Sequence, residues 1–104
     1  MERKKTNYTS SCQQRILKVL MCLFGHEIDG LTPGQVAKMA EITASKATRD
    51  LWNLEDAGLV ERLPDGNKVR VSPRLGHKAL AILHSLDSAK RQLDEMTHRY
   101  TLNR

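Results

Sequence analysis

Residues 41–71 read EITASKATRDLWNLEDAGLVERLPDGNKVRV, and within that span a helical pattern gives way to a hairpin pattern. Ala44, Ala47, Leu51 and Leu54 recur at helical steps, so at about 100° per residue they gather on one side of a helix over 43–57. Gly58 follows as the residue expected just past a helix C-terminus. Two alternating runs, LVERL and KVRVS, then flank the turn PDGN, with Asp65-Gly66 at its centre. This is a hairpin signal, and the predicted hairpin occupies 59–72.

Working upstream, LTPGQVAKMA opens a helix with Thr32 as cap, Pro33 at the first helical position and Gln35 closing a capping box. Two or three residues separate it from the next helix, which defines a helix-turn-helix. An earlier helix starts at Ser10 or Ser11, with Gln13 or Gln14 in capping-box spacing, and stops at Gly25. Its Ile16, Val19 or Leu20, and Leu23 supply the apolar stripe, and HEIDG after it reads as a polar turn. Downstream, Ser72-Pro73 starts a long final helix reaching about Tyr100. The predicted fold is therefore mainly α with a small β-hairpin, a winged helix-turn-helix followed by a long C-terminal helix. Its predicted parts are a disordered basic arm over 1–8, the winged helix-turn-helix over 9–72, and the C-terminal helix over 73–104.

A chain of 104 residues is the size of one modest core. Its single Trp, single Phe and two Tyr leave that core to aliphatic side chains, which suits packed helices. Cys12 and Cys22 lie about 15 Å apart on one helix at roughly 1.5 Å per residue, too far to pair. With no apolar leader and no span-length apolar run, a reduced, cytoplasmic protein away from membranes is expected. A net charge of +5 permits a polyanionic partner.

The placement of those charges says more. Opposite its apolar side, the helix over 43–57 presents Thr48, Trp52, Ser45, Arg49, Asn53 and Lys46, while Asp50, Glu55 and Asp56 lie off that arc or in the last turn. Small hydroxyls beside long cations suit entry into a DNA major groove, where Arg or Lys reaches guanine and Ser or Thr meets base edges or phosphates. The predicted contact set on this helix is Thr43, Ser45, Lys46, Thr48, Arg49 and Asn53. On the hairpin, Arg62, Lys68 and Arg70 fall beside the phosphate backbone and Asn67 at the tip approaches a minor groove. Trp52, one turn beyond Arg49 on the same arc, either covers a phosphate or thymine methyl or packs as core rim beneath the wing, and packing is the expectation because tryptophan is mostly buried on average. Arg3, Lys4 and Lys5 of the arm either trail along phosphates or act as a solubilising tail.

LTPGQVAKMAEITASKATRDLWNLEDAGLVER followed by KVRVSPRLG resembles the winged helix-turn-helix DNA-binding domain of the IclR family of bacterial transcription regulators, over about residues 14–76. LEDAGLVER is shared by many winged-helix regulators, MarR-like ones included, whereas SPRLG after the wing is closer to IclR. The resemblance implies that the third helix is the recognition helix and assigns base contacts to Ser45 and Arg49. Lys46 stands where that family tends to have Thr. IclR regulators continue into an effector-binding domain, and this sequence ends at Arg104, so the resemblance implies no small-molecule sensing.

The four His and two Cys have no metal-ligand spacing, and no phosphate loop, nucleophile triad or carboxylate pair stands out, so neither cofactor nor enzymatic activity is expected. His77, His84 and His98 share one helix face, read as solvated. In the final helix Leu75, Ala79, Ile82, Leu86, Ala89, Leu93, Met96 and Tyr100 alternate steps of four and three. That is a coiled-coil type seam, which predicts a homodimer on a pseudo-palindromic double-stranded DNA operator. The dimerisation set is Ile82, Leu86, Ala89, Leu93, Met96 and Tyr100. The alternative reading, from another class, is a winged-helix protein-protein interaction module using the same third helix.

Overall fold

The computed structural model describes residues 8–102. Arg3, Lys4 and Lys5, and with them the predicted arm up to residue 7, lie outside the described residues. The element order is α1 (Ser11–Leu23), α2 (Pro33–Ala40), α3 (Ala44–Asp56), β1 (Val60–Arg62), β2 (Val69–Val71) and α4 (Pro73–Leu102). The chain divides into two compact units, Met1–Ser72 and Pro73–Arg104.

In the first unit every helix begins where a side chain can occupy an orphan backbone N–H. Ser10 Oγ accepts from Gln13 N at 3.4 Å at the start of α1. At α2 the capping box is complete: Thr32 Oγ1 accepts from Gln35 N at 3.1 Å and Gln35 Oε1 accepts from Thr32 N at 2.9 Å. Thr43 Oγ1 accepts from Lys46 N at 3.3 Å at α3. Between α2 and α3, Glu41 adopts the left-handed conformation (φ 58°, ψ 49°) that turns the chain so tightly. After α3, Gly58 takes φ 80° and Leu59 N donates to Leu54 O at 3.0 Å, which closes the helix end.

The three helices of this unit pack on one another, α1 also against β2 and α3 also against β1. Val19 and Leu23 of α1, Val36, Ala37 and Ala40 of α2, Ala47, Leu51 and Leu54 of α3, and Leu31, Val60, Val69 and Val71 form the buried core. Periodicity sets Ala44 on the apolar side of α3, the side expected to form the core; this is corrected, because Ala44 is exposed in the first turn and Asp50 is buried on the inner side instead.

The hairpin pairs Val60 with Val71, Glu61 with Arg70 and Arg62 with Val69. Leu63 N donates to Lys68 O at 2.9 Å and Gly66 N to Leu63 O at 2.8 Å, so the PDGN segment forms the loop, closed by a turn in which Gly66 takes φ 87°. A third chain segment joins it. Leu31 forms an antiparallel bridge with Val69, through Leu31 N to Val69 O at 2.9 Å and Val69 N to Leu31 O at 2.8 Å. Gly30 makes the approach possible. Its φ is 71°, and a Cβ there would stand 2.9 Å from the Val69 carbonyl oxygen and 2.6 Å from Leu63 Cδ1. What reads as a polar turn after α1 thus ends in the strand-like residue that anchors the wing.

The second unit is α4, a single helix of 30 residues that buries none of them. Asp87 and Arg91 form an ion pair along it at four-residue spacing. No helix among the described residues is long and apolar enough to cross a membrane.

Candidate nucleic-acid interface

The inner side of α3 is fixed by burial of Ala47, Asp50, Leu51 and Leu54. Rotating by about 100° per residue, the opposite side centres on Ser45, Arg49, Trp52 and Asp56, with Thr48 on one flank and Asn53 and Lys46 on the other. All seven side chains are exposed. Lys46 and Arg49 form no ion pair among the described residues, so their charges face solvent uncompensated. Lys46 stands in the first turn, where the helix dipole adds partial positive charge, and Arg49 one turn further on.

Two predicted contact residues serve the helix itself. Thr43 caps it, as described above, and Asn53 Nδ2 donates to Arg49 O at 2.9 Å, turning its amide back onto the preceding turn.

What holds this face in place was not foreseen from sequence. Arg15 of α1 reaches Asp50 of α3 with two charge-assisted hydrogen bonds, Nε to Oδ2 and Nη2 to Oδ1, both 2.7 Å. Asp50 is 3% exposed and the Arg15 side chain 17% exposed. The hydrogen bond to Asp50 raises the Arg15 pKa above its ordinary value, against the opposing effect of burial, so the guanidinium stays charged at any working pH. The fork geometry fixes α1 and α3 in angle as well as distance. Around it Cys12, Gln13, Arg15 and Ile16 of α1 and Arg49, Asp50 and Asn53 of α3 line a shallow groove, which brings the first turn of α1 beside the predicted contact face.

On the wing the cations are mostly engaged. Arg62 Nε donates to Glu55 Oε1 at 2.9 Å and Arg70 Nε to Glu61 Oε2 at 2.8 Å. Lys68 forms no ion pair among the described residues, and Asn67 is exposed at the tip. The structure therefore brings Ser45, Lys46, Thr48 and Arg49 together on one open face, and sets Arg62 and Arg70 against carboxylates.

Trp52 is corrected. It is 66% exposed and does not pack as core rim; it stands on the outward ridge, beside an open depression that it lines with Glu55, Asp56 and Arg62. Its angular position in the helix already pointed outward, and the average burial of tryptophan was the weaker guide.

No family model matches the chain, and no curated protein matches it. Solved structures do. The Staphylococcus aureus MepR–DNA complex is 24% identical over 84% of this chain and 73% of MepR, with a TM-score of 0.55. A MarR family transcriptional regulator from Silicibacter pomeroyi is 30% identical over 75% of this chain, with a TM-score of 0.51, and this chain spans 53% of that regulator. The Zalpha domain of Cyprinid Herpesvirus 3 ORF112, described in its binding to Z-DNA, is 20% identical over 57% of this chain and 93% of that domain, with a TM-score of 0.51. The fold is a winged helix-turn-helix.

Proposed function

We propose that this chain is a sequence-specific double-stranded DNA-binding transcription regulator, with α3 as recognition helix in the major groove and the wing on backbone or minor groove. One observation carries the reading: Ser45, Lys46, Thr48 and Arg49 share one exposed face of α3, with neither cation compensated, on a helix locked to α1 by the buried Arg15–Asp50 fork. MepR and the Zalpha domain are winged helices that their structures pair with DNA, which supports the same use here. The SPRLG sequence after the wing favours an IclR-type domain, and the solved structures favour a MarR-type one. The regulator acts in the cytoplasm, without catalysis or cofactor.

Selection of bound duplexes from fragmented genomic DNA, with salt titration of the winners, tests this. Arg49→Ala and Lys46→Ala should each cost about 1–3 kcal/mol on the selected site and relax its sequence preference. Binding indifferent to salt, or to no duplex at all, defeats the reading.

We further propose that the regulator is a homodimer through α4. Ile82, Leu86, Ala89, Leu93, Met96 and Tyr100 repeat at coiled-coil spacing and are all exposed, Leu86 at 63% and Leu93 at 64%. A soluble helix gains nothing from such a stripe unless another helix covers it. Two recognition helices related by a two-fold axis would then read pseudo-palindromic half-sites about one helical turn apart, or a multiple of that. Light scattering at micromolar concentration should show a dimer that the double change Leu86→Glu/Leu93→Glu converts to monomer. A monomeric wild type ends this proposal.

The exposed Trp52 favours a second reading, a protein-interaction module anchored by an aromatic side chain.

A further inference from the structure

The chain has a single tryptophan, and the fold leaves it in the open. Trp52 stands about 100° round α3 from the buried Leu51, near the centre of the side opposite the core, so the helix presents the indole outward. Its neighbours on the ridge are informative. Toward the N-terminus come Arg49 and Ser45, with Lys46 on the flank, and toward the C-terminus comes Asp56. Glu55 also lies on the C-terminal side, already engaged with Arg62 at 2.9 Å. Trp52 therefore marks the border between a cationic stretch that attracts a polyanion and an acidic stretch that repels one. A duplex seated on Lys46 and Arg49 would meet the indole before it met the carboxylates.

We propose that Trp52 is a specificity-determining contact for duplex DNA, its indole packed against a thymine methyl group in the major groove. The inference rests on the DNA-binding reading above and adds a base to it. Of the groups that base pairs present in the major groove, the thymine methyl is the apolar one. The indole Nε1–H can donate one hydrogen bond to a phosphate or base acceptor, but the rest of the ring system is apolar surface, which gains most by covering that methyl. The charge pattern favours DNA over a protein partner, since the surface running from Trp52 to Lys46 is cationic and offers no second apolar anchor on α3.

The experiment uses the full chain and duplexes recovered by genomic selection. Excited at the red edge, where the two tyrosines do not absorb, emission reports on Trp52 alone, so acrylamide quenching of the wild type, free and saturated with duplex as judged by anisotropy, reads its exposure directly. Bound duplex should shield it. Replacing thymines one at a time with deoxyuridine removes only the methyl, and at one position per half-site should weaken wild-type binding about four-fold, the value of one buried methyl group. Trp52→Ala should lose that sensitivity and Trp52→Phe should retain it; thermal melting confirms that both remain folded. If Trp52 is quenched equally in the saturated complex, or if deoxyuridine weakens Trp52→Ala as much as wild type, the proposal is overturned. The first of these results leaves the DNA-binding reading standing and removes only the indole from the DNA contact. Failure of the wild type to bind any duplex overturns both.

Discussion

On α3, Lys46 and Arg49 are exposed and unpaired among the described residues, whereas on the wing Arg62 and Arg70 each donate a hydrogen bond to a carboxylate, Glu55 at 2.9 Å and Glu61 at 2.8 Å. Residue type alone made these four cations equivalent. Their surroundings do not. A phosphate approaching α3 displaces only water and counterions, but one approaching Arg62 or Arg70 must displace a carboxylate and then sit near it. A partly exposed ion pair contributes only about 0–1 kcal/mol, so the exchange is possible, yet its yield is reduced by the repulsion that remains. Under the proposed DNA-binding reading α3 thus supplies affinity and the wing supplies fit, with Lys68 as the wing's one unpaired cation among the described residues.

The largest expected effect comes from breaking the wing at its base. Gly30→Ala forces a Cβ to within 2.9 Å of the Val69 carbonyl oxygen, at a backbone φ of 71° that alanine resists. It should lower stability by about 2 kcal/mol, seen as a lower melting temperature, and weaken DNA binding through loss of wing placement. An unchanged melting temperature would mean that the Leu31–Val69 bridge does not hold the wing. A smaller effect should come from releasing the wing cations. Glu55→Gln with Glu61→Gln should tighten binding to all sequences and steepen the dependence of log K on log salt by about 1–2. In the same titrations Lys68→Ala should flatten the slope by about 1, and Arg62→Ala by less than that. Equal slopes for Lys68→Ala and Arg62→Ala would erase the distinction between paired and unpaired cations.

The elements legible in the sequence were those with local causes. Thr32, Pro33 and Gln35 announce α2 within four residues, Thr43 and Gly58 bracket α3, and the PDGN turn lies between two alternating runs. The parts that were not legible are decided across the chain. Arg15 and Asp50 are 35 residues apart, and nothing near Asp50 announces that it faces inward with a partner. Leu31 carries no alternation that would mark it as a strand, because its one bridge depends on Val69 arriving beside it. For the candidate site, helical periodicity placed Ser45, Lys46, Thr48 and Arg49 correctly on one face, since α3 is regular and its core side is unambiguous. It could not tell which cations would find carboxylates, because Arg62–Glu55 joins a strand to a helix. Trp52 was misjudged where the average habit of a residue type was preferred to its own angular position.

Val69 is paired on both sides, in register with Arg62 in the hairpin and bridged to Leu31, which takes both its N–H and its C=O. The segment between Leu31 and Val69 contains the whole helix-turn-helix, so the bridge cannot close until that segment has been brought round. Chain contacts close in sequence form quickly, while closing a longer loop costs entropy that only later contacts repay. The order of assembly follows: α2, its turn and α3 form first, the hairpin registers next, and the bridge closes last. The reverse holds in native fluctuations. Amide exchange at Leu31 and Val69 should therefore outpace exchange at Leu51, and a protein that has momentarily let go of its wing would still hold α3 in shape.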